Sequence, residues 1–548
     1  MDYTDLDHKM KGHPMAKEMP DSNGPVNSTE PDRPVAAASM PGGIFDRRHF
    51  LGGAALAGLG AAGAGLGVGR LARQQPPQPS AETADPQSTA DLHGMAGPQG
   101  PGNDSHKYYL NVYDFGARGN GRADDTAAIQ RALDAAAKKG GIVAVPAGTY
   151  LVRSHLTIPK DVILEGVWRS LDRPPRPTGT GVDIGLAHGI PMVQGTTLLA
   201  VEGKGNPTGE PFITIEGNAT LKGVTIFHPQ QVSTSNNDPS VKVIAYPWAI
   251  RGKGQDVSVM DVVLVNPYQA VDLGTFPCAR HMIQRVVGQP LRTGLFINDC
   301  GDVGRVENVH WWGFGPSSYD RFTAEATAFL IGQTAWQCMF NCFSTGYGVG
   351  YHFIRGPKGP AEEAGPTGSV FLTQCHAEAV FTAVRVEDCA QGSGLVFVNG
   401  QFTGGVYGPL SGAIAIPGVT GKFDTHTIEI EPTNSGPVKF TNCNVGTARD
   451  GAGAVIVQGT GHVAFNTCTF SQWGMKDQEA PAIKATGGGL TVMGCEFTHN
   501  PAFAYGKTQV EIGPNVKSTI IVGNRMKGGV RIVNRSRGSV QIGLNTDQ

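Results

Sequence analysis

A short pattern recurs along the chain from about residue 220 to the C-terminus. Each copy reads apolar residue, any residue, small polar residue or Gly, Cys or Val, any residue, apolar residue, as in 221–226 and 440–445. Successive copies are 23 to 43 residues apart. One copy cannot bury its apolar face alone, but stacked copies make a continuous core. The pattern therefore predicts an all-β fold, a single-stranded right-handed parallel β-helix.

The composition agrees with many short strands joined by tight turns. Only 16% of the 548 residues are charged, and 77 are Gly, which suits strand-and-turn structure. The formal net charge is −2, so no basic field favours a nucleic-acid partner.

A helix is predicted where the repeats begin. Asp125 precedes an apolar face made by Ile129, Leu133 and Ala136, and Gly140 follows Lys138 and Lys139. These are start and stop signals of a helix. We expect helix 125–139 to cover the N-terminal end of the solenoid, where strand edges would otherwise be open.

The segment before the repeats resembles a twin-arginine export signal. Arg47 and Arg48 are followed by Phe50 and by an uncharged run, 51–69, in which Gly and Ala dominate. No small-x-small cleavage site follows, so both removal of the signal and its retention as an N-terminal membrane anchor stay open. We expect the twin-arginine export machinery as a partner and an extracellular, periplasmic or cell-envelope location. The predicted organisation is a disordered N-region, the signal or anchor, a disordered linker and the β-helix, over 1–45, 46–73, 74–106 and 107–548.

Five of the nine cysteines share one column of the repeat. We expect them to be buried and reduced, because Cys packs as a small hydrophobe and folding before export occurs under reducing conditions. The preceding position is often Asn, and we expect an inward-turning Asn ladder there. The residues concerned are Cys342, Cys375, Cys443, Cys468 and Cys495, with Asn341, Asn399 and Asn442.

The stretch 111–166 resembles a known family. Its segments 111–121, 124–129 and 142–150 are similar to the opening of the pectate-lyase-like (pectin-lyase-like) proteins, which include rhamnogalacturonases, polygalacturonases and epimerases. The resemblance implies the β-helix fold and a carbohydrate-active protein, but one scaffold in that superfamily supports hydrolysis, elimination and epimerisation. The polygalacturonase motifs do not carry over: an Asn-Thr-Asp triplet occurs only at 545–547, and Gly461-His462 is followed by Val.

Three functions stay open on this basis. The first is a secreted glycoside hydrolase that cleaves a polysaccharide or oligosaccharide with paired carboxylates and needs no cofactor or metal. The second is a polysaccharide lyase that acts by β-elimination, with Arg285 or Arg305 as base and Ca²⁺ as a cofactor. The third is a non-catalytic glycan-binding β-helix of the cell surface.

Outward-facing positions of the central repeats supply the first candidate site residues. Strand side chains alternate, so the residue after the Cys/Val column and the residue two beyond it face solvent together. These positions hold His310 and Trp312 in one repeat and His376 and Glu378 in another. A Trp face beside His and carboxylate suits a sugar site.

The second group of candidates lies in 246–312. Hydrolysis needs two carboxyl groups roughly 5 to 9.5 Å apart, which stacked coils can supply. We predict a groove along 260–380 with Asp272 and Asp302 as the acid/base pair. Asp261 instead suits an ion pair with Arg285. The other predicted catalytic or assisting residues are Glu307, His310 and Glu378, and the predicted substrate-binding residues are Tyr246, Trp248, His281, Arg285, Trp312 and His376.

Overall fold

The computed structural model describes residues 109–168, 195–231, 242–312, 325–357, 365–404, 426–447, 453–474, 478–501 and 505–547. These residues form a right-handed parallel β-helix, as the repeats predict. Every strand pairs in parallel with the strand one coil before or after it. A coil is one full turn of the solenoid and contributes a strand to each of three faces, A, B and C.

Faces A and B form one bent 28-stranded sheet and face C is a separate 13-stranded sheet, counted over the described residues. The strands of face A are Tyr109–Asn111, Gly141–Val145, Val162–Gly166, Thr220–Lys222, Gly304–Glu307, Gln337–Phe340, Val370–Thr373, Leu395–Val398, Val438–Thr441, His462–Asn466, Gly489–Met493, Ser518–Val522 and Ser539–Gly543. Two longer strands, Ser258–Val265 and Met282–Gly288, run from face A into face B.

The strands of face B are Asn120–Asp124, Gly148–Val152, Thr196–Ala200, Val224–Phe227, His310–Trp311, Phe343–Thr345, His376–Glu378, Gln401–Gly404, Asn444–Thr447, Thr469–Ser471, Glu496–Thr498, Arg525–Met526 and Thr546–Asp547. The strands of face C are Leu156–Ile158, Ile213–Glu216, Trp248–Lys253, Gln269–Leu273, Thr293–Ile297, Thr327–Ile331, Val349–Phe353, Thr382–Val386, His426–Ile430, Gly453–Val457, Ile483–Ala485, Val510–Ile512 and Ile532–Asn534.

One left-handed residue makes the bend between faces A and B. The position before the Cys/Val column has positive φ in coil after coil, for example 55° at Asn308, 48° at Asn341 and 52° at Asn442. Asn tolerates this conformation better than other non-Gly residues. The Asn side chains bond along the axis, as from Asn341 Nδ2 to Asn308 Oδ1 at 2.7 Å. The expected direction is wrong, because these side chains lie at the surface of the turn and not in the core.

The five column cysteines are buried in the core as free thiols, as predicted. Their Sγ atoms lie near backbone carbonyls, for example 3.6 Å from Cys342 Sγ to the Val306 oxygen. At the C-terminal end Asn524 and Asn545 continue the column, and Asn524 Nδ2 donates to Asn545 Oδ1 at 2.9 Å. Among the described coils, an inward polar ladder is therefore present in the last two, at positions other than the predicted ones.

Helix α1 (Thr126–Ala136) takes the place of a face C strand in the first coil. It follows the strand Asn120–Asp124 and precedes the strand Gly141–Val145, and it packs on Leu156–Ile158, the first strand of face C. Its buried side includes Ile129 and Leu133. The helix is shorter than the predicted 125–139, with Asp125 as N-cap and Ala137 as C-cap. A 3₁₀ helix, Val112–Phe115, lies before it.

The predicted N-region, export signal and linker lie outside the described residues. Within the described part of the chain, no helix has the length and apolarity needed to cross a membrane.

Candidate functional site

The outward side of face C carries a cluster of ionisable side chains near the middle of the solenoid. The strands Val349–Phe353, Thr382–Val386 and His426–Ile430 lie side by side, with His352 opposite Arg385 and Arg385 opposite Glu429. Valine, isoleucine and aromatic residues alternate with these polar positions and point into the core. Period-2 alternation therefore places His352, Arg385 and Glu429 on the outer face.

Two more carboxylates complete this group, which we call the face C cluster (His352, Arg385, Glu387, Glu429 and Glu431). Each follows its strand at the same position: the N–H of Glu431 donates to the Val386 carbonyl, and Val386 pairs with Ile430. Glu387 and Glu431 are therefore equivalent positions on adjacent coils, which are about 4.8 Å apart.

Hydrogen bonds and ion pairs tie the cluster together. His352 Nε2 lies 2.7 Å from Glu387 Oε1. Arg385 donates from Nε and Nη2 to Glu429 Oε2 at 2.9 and 2.7 Å. The same Nε is 3.7 Å from Glu431 Oε1. Glu429 is the most buried carboxylate, whereas Glu387 and Glu431 are part-exposed.

The surroundings perturb two groups of the cluster. Partial burial and the negative charges of Glu429 and Glu387 raise the pKa of Glu431, and Arg385 opposes this rise. Burial lowers the pKa of His352, although Glu387 opposes that shift. A neutral His352 donates its Nε2–H to Glu387. The cluster thus holds a carboxyl that keeps its proton to higher pH beside a carboxylate that a histidine orients.

Asp272, predicted as a catalytic carboxylate, has no exposed side-chain surface. Its Oδ2 accepts from Arg251 Nε and from the Thr275 hydroxyl, both at 2.6 Å. Its Oδ1 accepts from the backbone N–H groups of Gly274 and Thr275. No substrate can reach this carboxylate, so we assign it to the turn that ends its strand.

Asp302 does not form an acid/base pair with Asp272. It is half-exposed and lies 3.2 Å from Arg280 Nη1, and Arg280 also binds Asp256. The N–H of Val303 and the charge of Arg280 lower the pKa of Asp302. A carboxylate held in its charged form cannot serve as the proton donor.

Three predicted substrate-binding residues have structural roles instead. Tyr246 and His281 are fully buried, and His281 Nδ1 lies 2.7 Å from the Cys278 carbonyl oxygen. Arg285 forms the ion pair with Asp261 that the sequence allowed, with 2.8 Å from Nη2 to Oδ2. Trp248 is part-exposed and stacks on Phe296, with 6.3 Å between ring centroids.

The predicted surface patch on face B does assemble. His310, Phe343 and His376 are neighbours in register on successive coils, and the His310 ring lies 5.9 Å from the Trp312 ring. Burial lowers the pKa of both histidines. Glu378 is opposite Thr345 and accepts from Gln401 Nε2 at 3.3 Å. The patch offers aromatic and polar groups to a ligand, and its role as a sugar site stays a prediction.

The remaining candidates lie on face A. Glu307 accepts from Gln284 Nε2 at 2.9 Å, and Arg305 is exposed on the same strand. The five predicted catalytic residues thus lie on different faces or at a turn and do not form one site.

The face C cluster was missed because its strands follow loops of variable length, so its residues share no fixed spacing from the Cys column. A local signal was present. Val384–Glu387 and Ile428–Glu431 both alternate apolar and charged residues and end in Glu. Alternation of this kind marks a half-buried strand with charges on its outer face.

Comparison with known proteins supports the resemblance seen in the sequence. Residues 109–175 match the family model described as rhamnogalacturonase A/epimerase, pectate lyase-like. The chain is 52% identical over 65 residues to mannuronan C5-epimerase AlgE3 of Azotobacter vinelandii, covering 10% of this chain and 4% of that protein. It is 41% identical over 69 residues to the iota-carrageenase of Alteromonas macleodii, covering 11% of this chain and 14% of that protein. The chain thus spans a small part of the curated relatives that it matches.

Among solved structures, the N-terminal fragment of bacteriophage phi29 gene product 12 has a similar fold. The TM-score is 0.50 at 14% identity, covering 80% of this chain and 70% of that chain. This likeness supports the β-helix fold alone. The N-terminal match places residues 109–175 in a pectate-lyase-like segment, with the solenoid continuing from it.

Proposed function

We propose that the protein is a glycoside hydrolase that acts on a polysaccharide, with the face C cluster as its active site. The observation that supports this most is geometric: Glu387 and Glu431 occupy equivalent positions on adjacent coils beside Glu429 and Arg385, and the pKa of Glu431 is raised there. Pairs of carboxyl groups whose environments move their pKa values apart are typical of acid/base assignments in hydrolases.

In this proposal Glu431 is the general acid and donates its proton to the glycosidic oxygen. Glu387 is the partner carboxylate, which His352 holds in place through the 2.7 Å contact. The coil spacing of about 4.8 Å is close to the roughly 5–5.5 Å between carboxyl groups in retaining enzymes. Glu387 would therefore act as nucleophile, and the product would keep its anomeric configuration. Arg385 and Glu429 position Glu431 and tune its pKa.

The test uses Glu431→Gln and Glu387→Gln, with Glu325→Gln as the matched control. Glu325 is highly exposed and contacts only Arg292 among the ion pairs of the described residues. Release of reducing ends is measured over a polysaccharide panel that includes alginate and carrageenan. Each cluster variant should lose about a hundredfold or more in turnover, as is typical for groups that transfer protons, and Glu325→Gln should stay near normal. Near-normal turnover in both cluster variants would refute the assignment.

The pH profile gives an independent test. A general acid must be protonated, so turnover should fall as the pH rises through the raised pKa of Glu431. Arg385 opposes that rise, so Arg385→Gln should move this limb to higher pH. If the high-pH limb of the profile does not move in Arg385→Gln, Glu431 is not the group whose proton transfer limits turnover.

A lyase or epimerase is the second candidate, because His352 is a base with a lowered pKa and because matched relatives are named for epimerase and alginate lyase activity. Such chemistry needs a cation for the substrate carboxylate, and Arg385 is already bound to two glutamates. Ultraviolet absorbance of an unsaturated product would identify a lyase. A changed NMR spectrum of the sugar residues without chain cleavage would identify an epimerase. Binding of a polysaccharide without any conversion would favour the non-catalytic solenoid.

A further inference from the structure

Face A carries an exposed aromatic surface that the proposed active site does not use. The strand Gln337–Phe340 alternates buried and exposed residues, and the next coil continues the outer side with Phe371. Trp336 is 58% exposed, Phe340 44% and Phe371 41%. The rings of Trp336 and Phe371 lie 6.3 Å apart. We call Trp336, Cys338, Phe340 and Phe371 the face A surface.

A basic residue lies at each end of this surface along the axis of the solenoid. One column of face A reads Arg305, Cys338, Phe371, Val396 and Lys439 on five successive coils. With about 4.8 Å per coil, Arg305 and Lys439 are about 19 Å apart. Both are exposed, and neither forms a salt bridge within the described part of the chain, although Arg305 is near enough to Asp302 to help lower the pKa of that carboxyl group. Glu307 is the acidic neighbour of Phe340, and Gln284 binds it from the preceding coil.

We propose that the face A surface is a second, non-catalytic binding site for an acidic polysaccharide chain. Sugar rings present C–H faces that stack on aromatic rings, and carboxylate or sulfate groups of the chain would pair with Arg305 and Lys439. The stripe runs along the solenoid axis, so it suits an extended chain. The proposal rests on the polysaccharide partner of the proposed function but not on its chemistry.

A second copy of the chain is a weaker occupant for this surface. Three half-exposed aromatic rings offer roughly 300 Å² of contact. A stable protein interface needs about 800 Å² on each partner. Two exposed cations on the same column would also face each other or a surface without matching charge in such a dimer. An acidic glycan instead satisfies both the rings and the charges.

An exposed thiol within the face A surface can report whether a ligand is bound there. All nine cysteines are free thiols, eight are buried, and Cys338 is exposed in the middle of the face A surface. A thiol reagent should therefore modify Cys338 alone in the native protein. Alginate or carrageenan should slow that modification, whereas uncharged dextran should not. Mass spectrometry identifies the modified residue and its rate.

Affinity electrophoresis of the full chain in alginate or carrageenan gels completes the test. Trp336→Ala with Phe371→Ala, and separately Arg305→Ala with Lys439→Ala, should each weaken retardation about tenfold or more. The matched control is Met493→Ala with Ile520→Ala, which removes residues of similar exposure, 49% and 40%, further along face A. Unchanged retardation in the first two variants, or no protection of Cys338, would overturn the proposal.

Two further readouts separate the possible failures. If a polysaccharide protects Cys338 in both the wild-type protein and Glu431→Gln, but the wild-type protein cleaves no glycan of the panel, the binding site stands and the proposed hydrolysis fails. If short oligosaccharides are cleaved but no polysaccharide protects Cys338, the hydrolysis stands and the face A site fails. Light scattering that shows a dimer dissociated by Trp336→Ala would assign the surface to a second copy and overturn the proposal.

Discussion

The carboxylates of this solenoid divide by their surroundings. Asp272 is buried with both oxygens occupied, Asp302 is exposed beside an arginine, and Glu431 is part-exposed among other acids. A buried carboxyl group whose oxygens accept hydrogen bonds from the protein serves the fold. Partial burial beside like charges stabilises the neutral form and suits acid catalysis.

This division predicts a difference in stability between two aspartate variants. Asp272→Asn leaves the buried side of Arg251 without its carboxylate, so the free energy of unfolding should fall by on the order of 3 kcal/mol. Asp302→Asn removes an exposed ion pair that solvent screens, so it should lower the free energy of unfolding far less than Asp272→Asn does. Chemical denaturation measures both. A variant with native stability but a hundredfold lower turnover would restore that aspartate as a catalytic residue.

A buried histidine makes the stability of the folded protein depend on pH. His228 is fully enclosed, and its Nδ1 finds no hydrogen-bond partner among the described residues. Burial lowers its pKa from 6.5 to about 3. The unfolded chain therefore binds a proton that the folded chain does not between these values, so stability is full above pH 6.5 and falls as the pH drops.

The His228→Phe variant tests this linkage. Between pH 7 and pH 5 the native protein should lose about 2 kcal/mol through His228 alone. The variant keeps an aromatic ring beside Tyr246 but cannot take up the proton, so its unfolding free energy should decline less over that range. Equal declines in the two proteins would show that His228 does not titrate as its burial implies.

At the scale of elements, the turn between faces A and B explains what the sequence could predict. It is short and nearly constant, so the left-handed residue, the buried Cys column and the outward pair His310 and Trp312 keep one spacing in coil after coil. Faces A and B were therefore predictable in register. Face C follows connections of variable length, so no spacing placed His352, Glu387 and Glu431 together.

Prediction of the site also failed because residue spacing does not reveal which side chains contact each other. Asp272 lies within the strand Gln269–Leu273, in the same column of face C as His352, Arg385 and Glu429, yet Arg251 and the Thr275 turn bury it. His281 has the residue type of a ligand contact, but it fills space that Gly304 leaves open: a Cβ at Gly304 would lie 2.4 Å from its ring. Packing of this kind appears only in three dimensions.

For the whole molecule, a stack of coils makes stability nearly one-dimensional. Each coil contacts chiefly its two neighbours, so a defect at one end should not reach a site many coils away. Helix α1 is the element that covers the first coil, and Leu133 is fully buried beneath it. The N-terminal end and the face C cluster can therefore be perturbed separately.

Leu133→Ala tests this separation. The cavity should cost about 2–5 kcal/mol locally and loosen helix α1 and the strands Gly141–Val145 and Leu156–Ile158 that it covers. Hydrogen exchange should speed up in those segments, while the strands Val349–Phe353, Thr382–Val386 and His426–Ile430 keep their protection and turnover stays near normal. Exchange that accelerates equally in all six segments would mean that the solenoid unfolds as one cooperative unit, with the N-terminal cap setting the stability of the active site.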